Sequence, residues 1–175
     1  LNLWKNYGSN KTKAHIESAK SFCHLYLTDS SKNLIRVYKL SDTLKSLASK
    51  EKKVNKAHII GGGTMGADIA SWCALKGIDT NLQDKDINFL QPGLKRAKKL
   101  FESKFKKESD VLGATKRLNV DLLGEKIKSA DIIIEAITED LKAKQELFKS
   151  IENEASSSAI IATNTSSIKI EDIAK

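Results

Sequence analysis

The sequence predicts an α/β fold, a doubly wound and mostly parallel sheet preceded by a helical segment. Three observations predict it. From residue 57 onward, short apolar runs alternate with stretches of helical periodicity, the pattern of parallel strands joined by crossover helices. The first of these runs, Ala57-His58-Ile59-Ile60, passes directly into Gly61-Gly62-Gly63-Thr64-Met65-Gly66. Before it, only helical periodicity appears, over about residues 14–49, which places a helical linker segment at 1–53 and the α/β domain at 54–175.

The elements follow in order. Residues 1–13 lack periodicity, so a frayed start is expected. Ile16, Ala19, Phe22, Cys23 and Tyr26 fall on one stripe of an amphipathic helix over 14–27. Thr28-Asp29-Ser30 breaks it, with Asp29 or Ser30 as the next cap. Leu34, Ile35, Val37, Tyr38, Leu40, Leu44 and Leu47 carry a second helix to about Ser49, and residues 50–55 form a charged connector. The run 57–60 is a strand, and a helix follows over 64–77, closed by Gly77. Asp79–Gln83 reads as a second strand. Pro92 suits the first turn of a helix reaching about Lys107. Within 108–130 only Leu118–Asp121 reads as a strand. Residues 131–137 form a buried strand, 140–153 a helix, and 158–163 another buried strand.

Composition narrows the class. Apolar residues make up 40% and charged residues 30% of the 175, which suits a globular chain. No run is long enough to span a bilayer as a helix. The net charge of +8 is concentrated in residues 1–56, with twelve Lys/Arg against four Asp/Glu, while 57–175 balance at eighteen each. The lysines are scattered without interleaved aromatics, so a solvated helix face is expected there and no nucleic-acid partner. Cys23 and Cys73 lie far apart without metal-ligand spacing. Two free thiols in a reducing compartment, and no bound metal, are the expectation. Leu1 opens the chain and Met65 is its only methionine, so an internal piece of a longer protein is expected.

The glycine loop carries the first chemistry. Gly61-x-Gly63-x-x-Gly66 matches a dinucleotide fingerprint in its required context, after a strand and opening a helix. Gly61 allows the tight turn, Gly63 lets the backbone approach a pyrophosphate, and Gly66 lets helix and sheet pack closely. Thr64 and Met65 open the helix, whose N–H groups and partial positive charge face the phosphates. The fold is therefore Rossmann-type. Asp84 stands 18 residues past Gly66. A carboxylate there accepts hydrogen bonds from the ribose hydroxyls and repels a 2′-phosphate, favouring NAD. Asp86 is the competing acid.

Three segments give a more specific resemblance: residues 59–66, Ile134-Glu135-Ala136-Ile137-Thr138-Glu139-Asp140-Leu141-Lys142-Ala143-Lys144, and Ala162-Thr163-Asn164-Thr165-Ser166-Ser167. On these, residues 56–175 resemble the NAD-binding N-terminal domain of the L-3-hydroxyacyl-CoA dehydrogenases. The resemblance implies NAD-dependent oxidation of L-3-hydroxyacyl-CoA to 3-oxoacyl-CoA in fatty-acid β-oxidation. It places Glu139 and Lys144 near the nicotinamide and makes Ser166 the active-site serine, with Asn164 in the same motif. Alternatives from the residues alone are a loop or helix cap at 164–167, a first-turn acid at Glu139 and a solvated helix face at Lys144. The segment from Glu17 to Leu40 is similar to the helical linker after the hydratase domain of multifunctional fatty-acid oxidation proteins.

The resemblance also implies what lies outside the chain. A histidine base would follow the serine motif by about twenty residues, beyond Lys175, and so would the helical domain that closes over acyl-CoA and dimerises. The piece is expected to bind NAD without turnover. His15, His24 and His58 are expected to be structural or exposed. CoA contacts are open, with Ala97 where some relatives carry serine and Lys104 a weak candidate. A thiolase subunit is an implied partner. A cytoplasmic setting is expected, with mitochondrial or peroxisomal alternatives. Two other readings stay open: a different NAD-dependent hydroxyacid dehydrogenase, and a non-catalytic NAD-binding relative.

Overall fold

In the computed structural model, residues 2–47 and 53–174 are described. The chain divides into two compact units, Leu1–Lys52 and Lys53–Lys175. The end of the second helix near Ser49 and the start of the connector, residues 50–52, lie outside the described residues.

The first unit holds α1 (Asn2–Tyr7), α2 (Lys11–Leu27) and α3 (Asp29–Ser46). Helix thus replaces most of the frayed start, and Asn10 caps α2 by accepting from the Lys13 amide at 3.0 Å. Thr28, and neither Asp29 nor Ser30, caps α3. Its Oγ1 accepts from the Ser31 amide at 3.2 Å and donates to the Leu25 carbonyl at 2.6 Å, so one hydroxyl ends α2 and starts α3. No residue of α2 or α3 is buried within this unit, and Phe22, Tyr26 and Leu44 are exposed.

The second unit is a five-stranded, all-parallel sheet in the order β3-β2-β1-β4-β5. Its strands are β1 (Lys56–Ile60), β2 (Asp79–Gln83), β3 (Leu118–Val120), β4 (Ile132–Glu135) and β5 (Ile160–Thr163). The helices are α4 (Thr64–Leu75), α5 (Ile87–Lys104), α6 (Glu108–Arg117), α7 (Leu141–Glu154) and α8 (Ile170–Ile173), with a 3-10 turn at Ile127–Ser129. Alternate strand residues face opposite layers. Ile59 and Leu82 pack with Ala67, Ala70 and Leu90, whereas Ile60 and Ile133 pack with Ile127 and Ile151. Each fully buried Ile or Leu side chain contributes roughly 1.5–3 kcal/mol. The order reverses at β1, so the C-terminal ends of β1 and β4 flank the crevice where such sheets bind ligands.

Four elements differ from the sequence reading. Pro92 lies in the second turn of α5, because Asp86 caps that helix through the Asn88 amide at 2.9 Å and starts it at Ile87. α6 has one buried residue, Ala114, too little apolar content for a stripe. Its signals are charges: Glu108 and Asp110 in the first turn, Lys116 and Arg117 in the last. The Arg117 Nε also donates to the Ala74 carbonyl at 2.9 Å, capping α4 from outside. β4 ends at Glu135, since the Ile137 amide turns back to the Glu135 Oε1 at 2.7 Å. β5 is half-exposed, because its place at the sheet edge leaves one side uncovered.

Candidate active site

Gly61 leaves β1 with φ +114°, a conformation open to glycine, and its amide donates to the Gln83 carbonyl at 2.8 Å. A Cβ on Gly66 would collide with the Gly61 carbonyl oxygen. That glycine is what lets α4 start so close to the strand. Above Gly63 the situation is the reverse: an added Cβ meets no atom within 4 Å. Gly63 caps α4 with no side-chain hydrogen bond, so the first N–H groups of the helix, at Thr64 and Met65, have no partner in the helix itself. Open space over uncapped amides fits a pyrophosphate. Arg96 of α5 reaches the first turn of α4 and pairs there with Asp68. Its guanidinium lies 3.3 Å from the Thr64 carbonyl and 3.2 Å from the Asp68 carboxylate.

Two adjoining clefts of about 340 and 400 Å³ open beside the loop, both lined by Gly61, Asp84, Lys85 and Ile137. The Asp84 carboxylate is held by backbone: one oxygen accepts from the Gly62 amide at 2.6 Å, the other from the Lys85 amide at 2.7 Å. Lone pairs remain on both oxygens for further donors. Asp86 instead caps α5. The smaller cleft also has apolar walls from Ile60, Leu122 and Leu147, suited to a flat aromatic base.

The second half of the site is built on a buried acid that the sequence reading did not single out. Glu135 closes β4 and is fully buried. Its carboxylate accepts from the Ile137 amide at 2.7 Å, the Lys144 ammonium at 2.6 Å and the Thr163 hydroxyl at 2.5 Å. Three donors, one of them the charged Lys144, offset the cost of burying it. The signal available in the sequence was a carboxylate ending an otherwise apolar strand, with a lysine nine residues later. Lys144 is itself 1% exposed, so the solvated-face reading of this residue is overturned. The packing of α7 on the sheet turns that position inward. Its ammonium also lies 3.7 Å from the Glu139 carboxylate.

Glu139 links this buried pair to the loop after β5. The Thr165 hydroxyl bonds both its oxygens, at 3.0 and 2.8 Å, and the Ser166 amide donates at 3.3 Å. These bonds, with that from Thr165 foremost, hold the Glu139 carboxyl below the usual carboxylate range, and Lys144 acts in the same direction. Asp140, beside it, is the cap of α7. Asn164 is fixed through its amide, which donates to the Glu135 carbonyl at 2.8 Å. The side chains of Asn164 and Ser166 are exposed and make no hydrogen bond to the protein among the described residues. Thr163 and Thr165 thus hold the loop, and Asn164 and Ser166 present free polar ends.

The remaining candidates fall away from this centre. His58 is fully buried in β1, its Nε2 2.8 Å from the Gln83 Oε1. Burial pushes its pKa down from the usual 6.5, with the Gln83 bond and the Asp121 carboxylate opposing. His15 and His24 are exposed in the first unit. Cys23 and Cys73 are free thiols, the first exposed and the second packed partly against the core. Among the described residues no helix is long and apolar enough to cross a membrane, and no cluster of three His, Cys, Asp or Glu forms a metal site.

Known proteins match this arrangement. The family model described as the NAD-binding domain of 3-hydroxyacyl-CoA dehydrogenase matches residues 56–175. The glyoxysomal fatty acid beta-oxidation multifunctional protein MFP-a of Cucumis sativus is 29% identical over 174 residues, covering 97% of this chain and 23% of its own length. A probable 3-hydroxybutyryl-CoA dehydrogenase of Bacillus subtilis is 33% identical over 126 residues, 70% of this chain and 44% of its own. The crystal structure of 3-hydroxybutyryl-CoA dehydrogenase from Escherichia coli K12 superposes with a TM-score of 0.66 at 30% identity, covering 70% of this chain and 27% of that one. The chain therefore spans less than half the length of these relatives. With a dinucleotide crevice, an acid at the end of β2 and a matching model over most of its length, the chain belongs to the 3-hydroxyacyl-CoA dehydrogenase family and contains its NAD-binding domain.

Proposed function

We propose that this chain supplies the NAD-binding part of an enzyme that oxidises L-3-hydroxyacyl-CoA to 3-oxoacyl-CoA in fatty-acid β-oxidation. The observation that carries the reading is the Glu139–Thr165–Ser166 network, which ties the serine loop after β5 to the loop after β4. In this reading Gly61, Gly63, Thr64, Met65 and Gly66 cradle the pyrophosphate, and Asp84 takes the adenosine ribose. NAD supplies the hydride acceptor when bound. Ser166 and Asn164 orient the substrate carbonyl region and the nicotinamide, a role their exposed polar side chains at the end of β5 allow. Glu139 sits at the nicotinamide side. Lys144 acts one step removed, as a positioning residue that holds Glu135 and approaches Glu139.

The first unit belongs to the same proposal. The Cucumis sativus multifunctional protein aligns over 174 residues, whereas the Bacillus subtilis dehydrogenase aligns over 126. That difference supports residues 1–53 as the linker of a fused hydratase–dehydrogenase and 54–175 as its NAD domain. The histidine base, the helical dimerising domain and a thiolase partner then belong to the longer protein. Cytoplasm is the proposed compartment, with the peroxisome or mitochondrion as alternatives.

The test has two arms. Calorimetry on this chain is expected to show NADH binding, and no binding overturns the reading. In the intact protein, Ser166→Ala is expected to lower kcat with 3-hydroxyacyl-CoA by about a hundredfold or more, on the scale of losing one positioned polar group. An unchanged rate removes Ser166 from the active site.

A further inference from the structure

The rim of the adenosine cleft carries a cation that the cofactor reading leaves unused. Lys85 follows Asp84 directly, is exposed, and lines both clefts that Asp84 lines. It forms no ion pair among the described residues. We propose that Lys85 is a specificity residue that takes the 2′-phosphate of NADP, so that this domain accepts NADP beside NAD.

The inference rests on the placement of the adenosine ribose at Asp84. An acid there disfavours a 2′-phosphate by like-charge repulsion. Two features blunt that repulsion here. Each Asp84 oxygen already accepts a backbone N–H, from Gly62 and from Lys85, which spreads part of the carboxylate charge onto the backbone donors. The next residue, the exposed Lys85, lines the same two clefts, so a cationic side chain accompanies the carboxylate where a lone Asp would leave one negative charge. Asp86, the other acid nearby, lines neither cleft. It is committed to the first turn of α5 through the Asn88 amide. A lysine ammonium recognises a phosphate as a compact point charge and needs no fixed fork geometry, so a flexible stem at an open rim is sufficient. Because Lys85 is solvent-exposed, its attraction to the phosphate is screened by salt.

Titration of the 175-residue chain with NADH and with NADPH, by calorimetry or nicotinamide fluorescence, tests this without any assay of turnover. NADPH is expected to bind within about tenfold of NADH at low salt. Lys85→Met is expected to weaken NADPH by about tenfold while moving NADH by less than about twofold. The wild-type preference for NADH is expected to grow as ionic strength rises. Circular dichroism controls for folding, which an exposed substitution leaves intact. NADH binding with NADPH more than about a hundredfold weaker overturns the proposal. So does a Lys85→Met variant that weakens both cofactors equally. Failure of NADH itself to bind overturns the underlying cofactor reading, and the Lys85 assignment with it.

Discussion

The Nζ of Lys144 lies 2.6 Å from the Oε1 of Glu135, and the two side chains are 1% and 0% exposed. A pair so completely removed from water is tolerable only while both members are present. Lys144→Met is therefore expected to destabilise the domain by about 3–5 kcal/mol, because it strands the Glu135 carboxylate. Chemical denaturation measures this. Glu135→Gln combined with Lys144→Met is expected to recover much of the loss. A Lys144→Met variant as stable as the parent would mean that the pair contributes nothing.

Two glycines in one loop separate folding from binding. Gly66→Ala drives a methyl into the Gly61 carbonyl, and overpacking of this kind costs about 1–3 kcal/mol. Gly63→Ala meets no protein atom within 4 Å, at an ordinary φ of −59°. It is expected to leave the melting temperature unchanged and to weaken NADH by about tenfold or more, about 1.4 kcal/mol at least. Thermal melts and NADH titration on the two variants distinguish the cases. Undiminished NADH binding by Gly63→Ala would show that the open space is not a phosphate cradle.

His58 makes stability depend on pH. Its folded-state pKa is lowered below 6.5, chiefly by burial. Between those two values the unfolded chain binds the proton first, so stability falls as pH drops from 6.5 towards the folded value. Above 6.5 the histidine is neutral in both states and this dependence is absent. His58→Val, a β-branched residue suited to a buried strand, is expected to flatten that segment of the pH–stability profile. Denaturation midpoints on either side of 6.5 report it, and parallel profiles for the two proteins would contradict it.

Glu139 works in the same sense, in the carboxylate range. Its lowered pKa means that its bonds to Thr165 and Ser166 are fully present above the usual carboxylate range and are lost as pH falls through the folded-state value. Glu139→Gln is expected to loosen the loop at 164–167 at neutral pH. Faster amide hydrogen exchange at Ser166, with the sheet amides unaffected, is the measurement. Equal exchange in parent and variant would show that the loop is held by other means.

What could be read directly from the residues was local. The glycine loop, Asp84 and the strands around 59 and 133 announce themselves through spacing and apolar runs. Gly77 likewise closes α4 with φ +94° as its position suggests. What escaped depends on how distant segments pack. Lys144 reads as one of several lysines on a charged helix, and only the seating of α7 on β4 turns it inward onto Glu135. α6 has no apolar stripe because it packs through Ala114 and holds α4 through Arg117. β5 reads as buried because Ile160 and Ile161 are apolar, yet its flank is open. Asn164 and Ser166 stand out in the sequence while Thr163 and Thr165 have no role there, and only the hydrogen bonds show that the two threonines hold the loop.

Glu135 and Thr163 are register partners in adjacent strands as well as hydrogen-bonded side chains. The roots of the two loops that frame the crevice are thereby stapled at strand spacing, about 4.8 Å. Residues beyond the staple can be exchanged without shifting the neighbouring loop, whereas a change within it disturbs both at once. Divergence of substrate preference among descendants of this scaffold has room at the tips of the loops and little at their bases.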